Sequence, residues 1–179
     1  MLIKKILCPT DLSEDSRASI AYAISLAREH KADLVFFNVT SFPSWELVAQ
    51  CDSDIGFQRR LSMFKVDGLF VSAASRVSNF VQANFGEEIC GRSWEARISL
   101  GNVSREIIAA AMGMQVDLIV MAKRKRGVFL RLLAPSISAA VREKAPCPVL
   151  SLCPLQIMRH LSSWRGTGFS TALRSSEAS

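Results

Sequence analysis

Apolar residues along this chain fall into two spacings, short continuous runs of strand length and longer stretches that repeat every three or four residues. Ile3 to Cys8 (IKKILC) is a β-branched and aliphatic run closed by Pro9, which has no N–H for a ladder, so the pattern predicts a strand and then a turn. Asp11 or Ser13 stands where a helix cap belongs. Glu14 and Asp15 sit in the first turn, where the helix dipole favours acids, and Ile20, Ala23, Ile24 and Ala27 then recur at helical spacing, predicting a helix over about 14–30. LVFFNV (34–39) is unbroken by polar residues until Asn38 and reads as a strand covered on both faces.

From Ser41 to Phe57 the pattern is interrupted by Pro43, Gly56 and Asp52-Ser53-Asp54, which predicts a connecting excursion with a short helix around Trp45 to Gln50. A helix is expected over about 58–85, with Gly68 and several serines lowering its propensity. WEARISL (94–100) alternates apolar and polar positions, as a strand near a sheet edge does. Gly101-Asn102 opens a helix through Ile107, Ile108 and Ala111 to about Gly113, and Asp117 leads into the buried strand DLIVMA. Ser136 caps a helix with Ile137, Ala140 and Val141 that stops at Lys144 before Pro146, and PVLSLC (148–153) is the last strand.

Strands alternating with helices imply an α/β fold, an open and mostly parallel sheet with helices on both faces and right-handed crossovers, Rossmann-like in architecture. Residues 1–153 form that domain, and 154–179 are a Ser- and Arg-rich tail expected to be flexible. Sheets of this kind take ligands beyond the carboxyl ends of their strands, where the strand order reverses. The loops Pro9 to Ser13 and Ala122 to Ser136 are therefore the candidates.

Length and composition narrow the functional classes. At 179 residues, with 49% hydrophobic and 21% charged residues, the chain holds one domain with a core that needs no staples. The five cysteines (8, 51, 90, 147 and 153) include no C-x-x-C pair, and two histidines are too few for a zinc site, so no metal is expected and the thiols read as reduced. No run is long and apolar enough for a membrane span, and the opening segment is too short for a signal peptide, which points to a cytoplasmic protein. The net charge of +6 suggests a polyanion until its distribution is read: Lys123, Arg124, Lys125, Arg126 and Arg131, with no acid among residues 122–131, account for five of it. So local a patch speaks against nucleic acid as a partner, and Trp45, Trp94 and Trp164 are too dispersed for a base-stacking platform.

KKILCPTDLSEDSRASIAYAISLA, DLVFFNV, GNVSREII, DLIVMA and KAPCPVLSL, in that order and spacing, resemble the universal stress protein family over about residues 2–153. The resemblance implies a five-stranded parallel sheet ordered 3-2-1-4-5 and commonly a homodimer formed by the last strands, here Val149, Leu150, Ser151 and Leu152. Many members bind ATP through a loop after the fourth strand, patterned Gly, two residues, Gly, nine residues, Gly, then Ser or Thr. Glycines there let backbone amides approach phosphates. The matching positions here read Ala122, Lys125, Pro135 and Ser136, so all three glycines are replaced. Lys125 brings a Cβ to a place suited to glycine, and Pro135 removes an amide donor outright. Asp11, Val39 and Ser136 stand at positions that meet the nucleotide in ATP-binding relatives.

Two readings of the basic loop stay open: Lys123, Arg124, Lys125 and Arg126, with Gly127, as a clamp compensating for lost glycines, or as a solvated surface run. Asp11 is either a ligand contact or a helix cap. Cys8, within an apolar strand, reads as core rather than nucleophile. With no Walker loop and no triad in recognisable context, no catalytic residue is named. The function implied is a non-enzymatic stress-response protein, a homodimer that binds an unknown protein partner and has a degenerate nucleotide site and no cofactor. The alternative is binding of ATP or another anionic nucleotide through residues 123–126.

Overall fold

The computed structural model describes residues 2–40, 66–123 and 136–153. Within them the chain runs β1 (Lys5–Pro9), α1 (Glu14–His30), β2 (Asp33–Thr40), α2 (Val66–Ile89), β3 (Trp94–Leu100), α3 (Val103–Gly113), β4 (Leu118–Ala122), α4 (Ile137–Lys144) and β5 (Val149–Leu152). All pairings are parallel, and the five strands lie in the order β3-β2-β1-β4-β5, as the family resemblance implies. WEARISL forms β3 at one edge of the sheet, where its alternation placed it. The excursion 41–57 and its short helix, the start of the expected helix at 58 and the tail 154–179 lie outside the described residues.

Strand side chains alternate between two apolar layers. Ile6, Cys8, Leu34, Phe36 and Val120 face one layer with Ile20, Ile24 and Ala27 of α1 and Val77, Val81, Phe85 and Ile89 of α2. Leu7, Val35, Phe37, Ile119 and Met121 face the other, with Ile107 and Ala111 of α3 and Val141 of α4. Each fully buried Ile, Leu or Phe contributes about 1.5–3 kcal/mol relative to exposure, so these layers dominate the stability. Trp94 of the edge strand closes the first layer edge-on against Phe36, ring centroids 5.7 Å apart.

Helix ends follow local chemistry. Lys31, at φ 55, turns left-handed at the C-cap of α1, and its N–H bonds the Ala27 carbonyl. The α2 helix runs four residues past the expected end at 85, with a break at Phe85 (φ −141, ψ 19) just before Gly86. Asn102 caps α3 by accepting the Arg105 N–H, and Gly101 before it has φ +141, with Glu106 so close that an added Cβ would lie 3.1 Å from its carboxylate.

Pro9 belongs to β1 rather than closing it. It pairs with Phe37 of β2, whereas the ladder to β4 ends at Leu7 and Ile119. Asp33 N–H bonds the Lys4 carbonyl and Asp117 N–H bonds the Lys5 carbonyl, so even-numbered residues of β1 address β2 and odd-numbered ones address β4. The donor missing from Pro9 therefore falls on the β4 side. There the two central strands separate, and a crevice opens at the switch point.

Candidate functional site

The crevice has a volume of about 290 Å³ and is lined from the carboxyl ends of β1, β2 and β4 and the first turns of α1, α3 and α4. Its apolar walls are Phe37 and Val39 of β2, Met121 and Ala122 of β4, Val103 and Ile107 of α3 and Ile137 of α4. Its polar rim is Thr10, Asp11, Ser13, Ser16, Ser136 and Ser138.

The β1–α1 turn is held by a relay in which each hydroxyl both accepts and donates. Leu12, in left-handed backbone at φ 61, gives its N–H to Thr10 Oγ1 at 3.0 Å. Thr10 Oγ1 donates to Ser16 Oγ at 3.0 Å, and Ser16 Oγ donates to the Ser13 carbonyl at 2.7 Å. Thr10 and Ser16 are both buried, and an unsatisfied hydroxyl there would carry the full desolvation penalty. From β2, Asn38 Nδ2 donates to the Thr10 carbonyl at 2.8 Å, while Thr10 N–H bonds the Phe37 carbonyl at 2.9 Å. The turn is thus tied to β2 twice.

Asp11 and Ser13 each stood as the expected cap of α1. Ser13 is the N-cap residue, but its side chain makes no capping bond. Asp11 Oδ1 instead accepts the N–H and the hydroxyl proton of Ser13, closing an Asx turn that precedes the helix. Ser136 does cap α4, accepting the Ala139 N–H at 3.1 Å, and its Oγ shares a hydrogen bond of 3.2 Å with Ser138 Oγ.

Four of the residues singled out in the sequence, Asp11, Val39, Ala122 and Ser136, line this one crevice. Lys123 is exposed and does not line it; its N–H continues the sheet, bonding the Leu152 carbonyl at 2.7 Å. Arg124, Lys125, Arg126, Gly127 and Pro135 lie outside the described residues. The buried hydroxyls of Thr10 and Ser16, the α3 residues Val103 and Ile107, and Ser138 escaped the sequence reading. Helical periodicity marked Ile107 as core, and only the rule that ligands gather at strand carboxyl ends could have shown that it also faces a crevice.

The titratable groups around the sheet have structural environments. Burial pushes the Cys8 thiol up to about 12, which keeps it protonated and unreactive at neutral pH. Asp117, at the opposite end of the sheet, accepts the backbone N–H groups of Lys4 and Lys5 at 2.8 and 2.9 Å, and these bonds hold its carboxyl below its ordinary value. Cys147 is raised by burial and then by the charge of Asp117. Among the described residues, no three His, Cys, Asp or Glu side chains gather as a metal site, and no helix is long and apolar enough to cross a membrane.

The model of the universal stress protein family matches residues 2–152. A universal stress protein of Methanocaldococcus jannaschii is 28% identical over 158 residues, covering 83% of this chain and 81% of that one. The structure of universal stress protein UspA from Lactobacillus plantarum is similar with a TM-score of 0.60 at 20% identity, over 85% of this chain and 99% of the other. A crystal structure of a universal stress protein in complex with cAMP gives a TM-score of 0.59 at 16% identity, over 86% and 99% of the two chains. At these identities the solved structures speak for the fold.

Proposed function

Because the chain belongs to the universal stress protein family, as the match over residues 2–152 shows, we propose that it is a non-enzymatic, cytoplasmic stress-response protein that works by association. It pairs with a second copy through the β5 edge and engages a protein partner, and its crevice holds a small ligand without the triphosphate cradle of ATP-binding relatives. One observation carries this reading: Asp11, Val39, Ala122 and Ser136 surround a single crevice, while the segment joining Ala122 to Ser136 has Lys125 and Pro135 where the family pattern has glycine. The walls that would receive a ligand are kept. The backbone suited to wrapping phosphates is replaced by residues that restrict it and, at Pro135, lack a donor.

The free edge of β5 supports the homodimer. Pro148 and Leu152 give their carbonyls to Ile119 of β4 and to Lys123 just after it, so the backbone groups of the odd-numbered residues Val149 and Ser151 point away from the sheet. A strand from a second copy would pair with them.

A second reading, ATP or another anionic nucleotide held with help from residues 123–126, is favoured by the complex of a structurally similar protein with cAMP. Native mass spectrometry of the purified protein, followed by turnover assays with Mg-ATP, tests both. The proposal expects no retained nucleoside triphosphate and no hydrolysis above the buffer rate. A stoichiometric triphosphate would replace it with the second reading, and turnover lost on substituting crevice residues would refute the non-enzymatic part.

A further inference from the structure

The two ends of β5 carry a symmetry that one copy of the chain does not use. Cys147 stands three residues before Leu150 and Cys153 three residues after it. Both are free thiols, neither fully buried nor fully exposed. At about 3.3 Å per residue of extended chain they lie roughly 20 Å apart, far beyond the reach of a disulfide within one copy.

Backbone parity decides what a second copy meets. Even-numbered residues of β5 bond toward β4, so the N–H and C=O groups of Val149 and Ser151 face the open edge. A two-fold axis brings two such edges together antiparallel, and the hydrogen-bonded pairs then join odd-numbered residues. One register keeps every bond inside the strand: Val149 faces Ser151 of the partner subunit, Ser151 faces the partner's Val149, and Leu150 meets Leu150 of the partner subunit at the axis. The neighbouring registers pair Ser151 or Val149 with a residue outside the strand.

The next pair of the same register sets Cys147 opposite Cys153 of the partner subunit, once at each end. The Cα atoms of a hydrogen-bonded antiparallel pair are about 5.5 Å apart, well within the span of a disulfide. Side-chain alternation agrees. Cys147 and Val149 pack against the second core layer and Leu150 and Leu152 against the first, so the alternation returns Cys153 to the side of Cys147.

From this register we infer that Cys147 and Cys153 form a redox pair between subunits, which peroxide converts into two symmetric disulfides that lock the dimer. The inference rests on the reading that two copies pair along β5, and it names the regulation of that edge. The Cys153 thiolate attacks one oxygen of hydrogen peroxide, the O–O bond breaks, and the departing hydroxide is protonated to water, leaving a sulfenic acid. Cys147 of the partner subunit then attacks that sulfur. The S–S bond forms, the S–O bond breaks, and the thiol proton leaves with the oxygen in a second water. Two thiols and one peroxide thus give one disulfide and two waters. Burial, and then the charge of Asp117, raise the Cys147 thiol, which suits it to resolve the sulfenic acid rather than to meet peroxide first.

Hydrogen peroxide treatment of the full chain, followed by non-reducing electrophoresis and peptide mass mapping, tests this, with sedimentation of the reduced chain run alongside. A covalent dimer carrying the Cys147–Cys153 linkage, dissolved by dithiothreitol, is expected. Cys147→Ser and Cys153→Ser should each lose that dimer. Co-expression of the two variants should restore it, because one end of the mixed dimer keeps both thiols, a recovery that misfolded variants would not give.

Absence of the Cys147–Cys153 linkage from a chain that sediments as a dimer, including links through Cys51 or Cys90 alone, overturns the inference and leaves the pairing along β5 standing. Failure of the mixed variants to regain the linkage overturns it in the same way. Absence of the linkage from a monomeric chain overturns the edge pairing, and the inference with it.

Discussion

Asn38 of β2 and Thr10 of the β1–α1 turn are joined by a 2.8 Å hydrogen bond from the Asn38 amide to the Thr10 carbonyl, so one strand sets the position of the turn that carries Asp11 into the crevice. Asn38→Leu keeps the side-chain size and removes the donor. The Thr10 carbonyl is then left short of a partner at a buried residue, a loss of about 1–3 kcal/mol. Urea unfolding is expected to show a lower midpoint with an unchanged slope, since the exposed area on unfolding stays the same. Equal midpoints for Asn38→Leu and the parent would remove Asn38 from this role.

Asp117 does comparable work at the opposite end of the sheet, where its carboxylate receives the Lys4 and Lys5 N–H groups. Those hydrogen bonds favour the charged form, so the folded-state pKa lies below the ordinary 3.8. A carboxylate with a depressed folded pKa contributes its stability above the unfolded value, and the contribution is lost as pH falls through the folded value. Asp117→Ala should therefore be less stable than the parent at pH 7. The difference should close as pH is lowered below about 3.8. Denaturation midpoints between neutral pH and pH 2 measure this, and a difference that stays constant across the range would contradict the assignment.

Local chemistry made most of the architecture readable in the sequence. The continuous runs LVFFNV and DLIVMA are strands because both faces meet a helix layer, and the Ile20, Ala23, Ile24 and Ala27 repeat is helical because one face is buried. The order of the strands came from the family resemblance alone, since no local pattern says which strands are neighbours. Pro9 shows where a sound rule was applied too broadly. Its missing donor ends pairing on the β4 side while pairing with β2 continues, a one-sided effect that needs the hydrogen-bond parity of β1 to be seen. Asp11, Val39, Ala122 and Ser136 were legible through the resemblance. The Thr10–Ser16 relay was not, because a hydroxyl pair six residues apart is unremarkable until a left-handed Leu12 folds the turn back on itself.

Cys8 separates a core thiol from an accessible one. It is fully buried within the layer that holds Ile6, Phe36 and Val120, and its thiol is raised to about 12 by desolvation. Cys90, just after α2, is exposed. A pulse of alkylating reagent on the folded protein at pH 8 should modify Cys90 and leave Cys8 untouched until denaturant is added, as peptide mass mapping would reveal. Because the folded pKa is raised, the neutral thiol supports stability fully below about 9.0 and progressively less as pH climbs from there toward 12. Cys8→Ser should lose about 1–3 kcal/mol, since a hydroxyl at this position lacks the partner that its burial demands. Rapid native labelling of Cys8 would contradict both expectations.

The two central residues of β5 should respond in opposite ways to proline, and that difference tests the homodimer independently of the fold. The carbonyls of Pro148 and Leu152 bond the N–H groups of Ile119 in β4 and of Lys123 just after it, so by the parity of a parallel strand the Leu150 N–H faces inward and the Ser151 N–H faces the free edge. At Leu150 proline removes an internal ladder bond and disturbs a side chain packed against the first core layer, and it should destabilise the monomer by about 3 kcal/mol or more. It is therefore a poor probe of association. At Ser151 proline removes an outward donor, and the Ser151 hydroxyl it replaces is buried without a hydrogen-bond partner in the described residues. Ser151→Pro should keep the parent's unfolding midpoint at low concentration while shifting sedimentation from dimer toward monomer. Dimers that persist in Ser151→Pro at low micromolar concentration would show that the copies do not meet along β5, and a strictly monomeric parent would remove the dimer altogether.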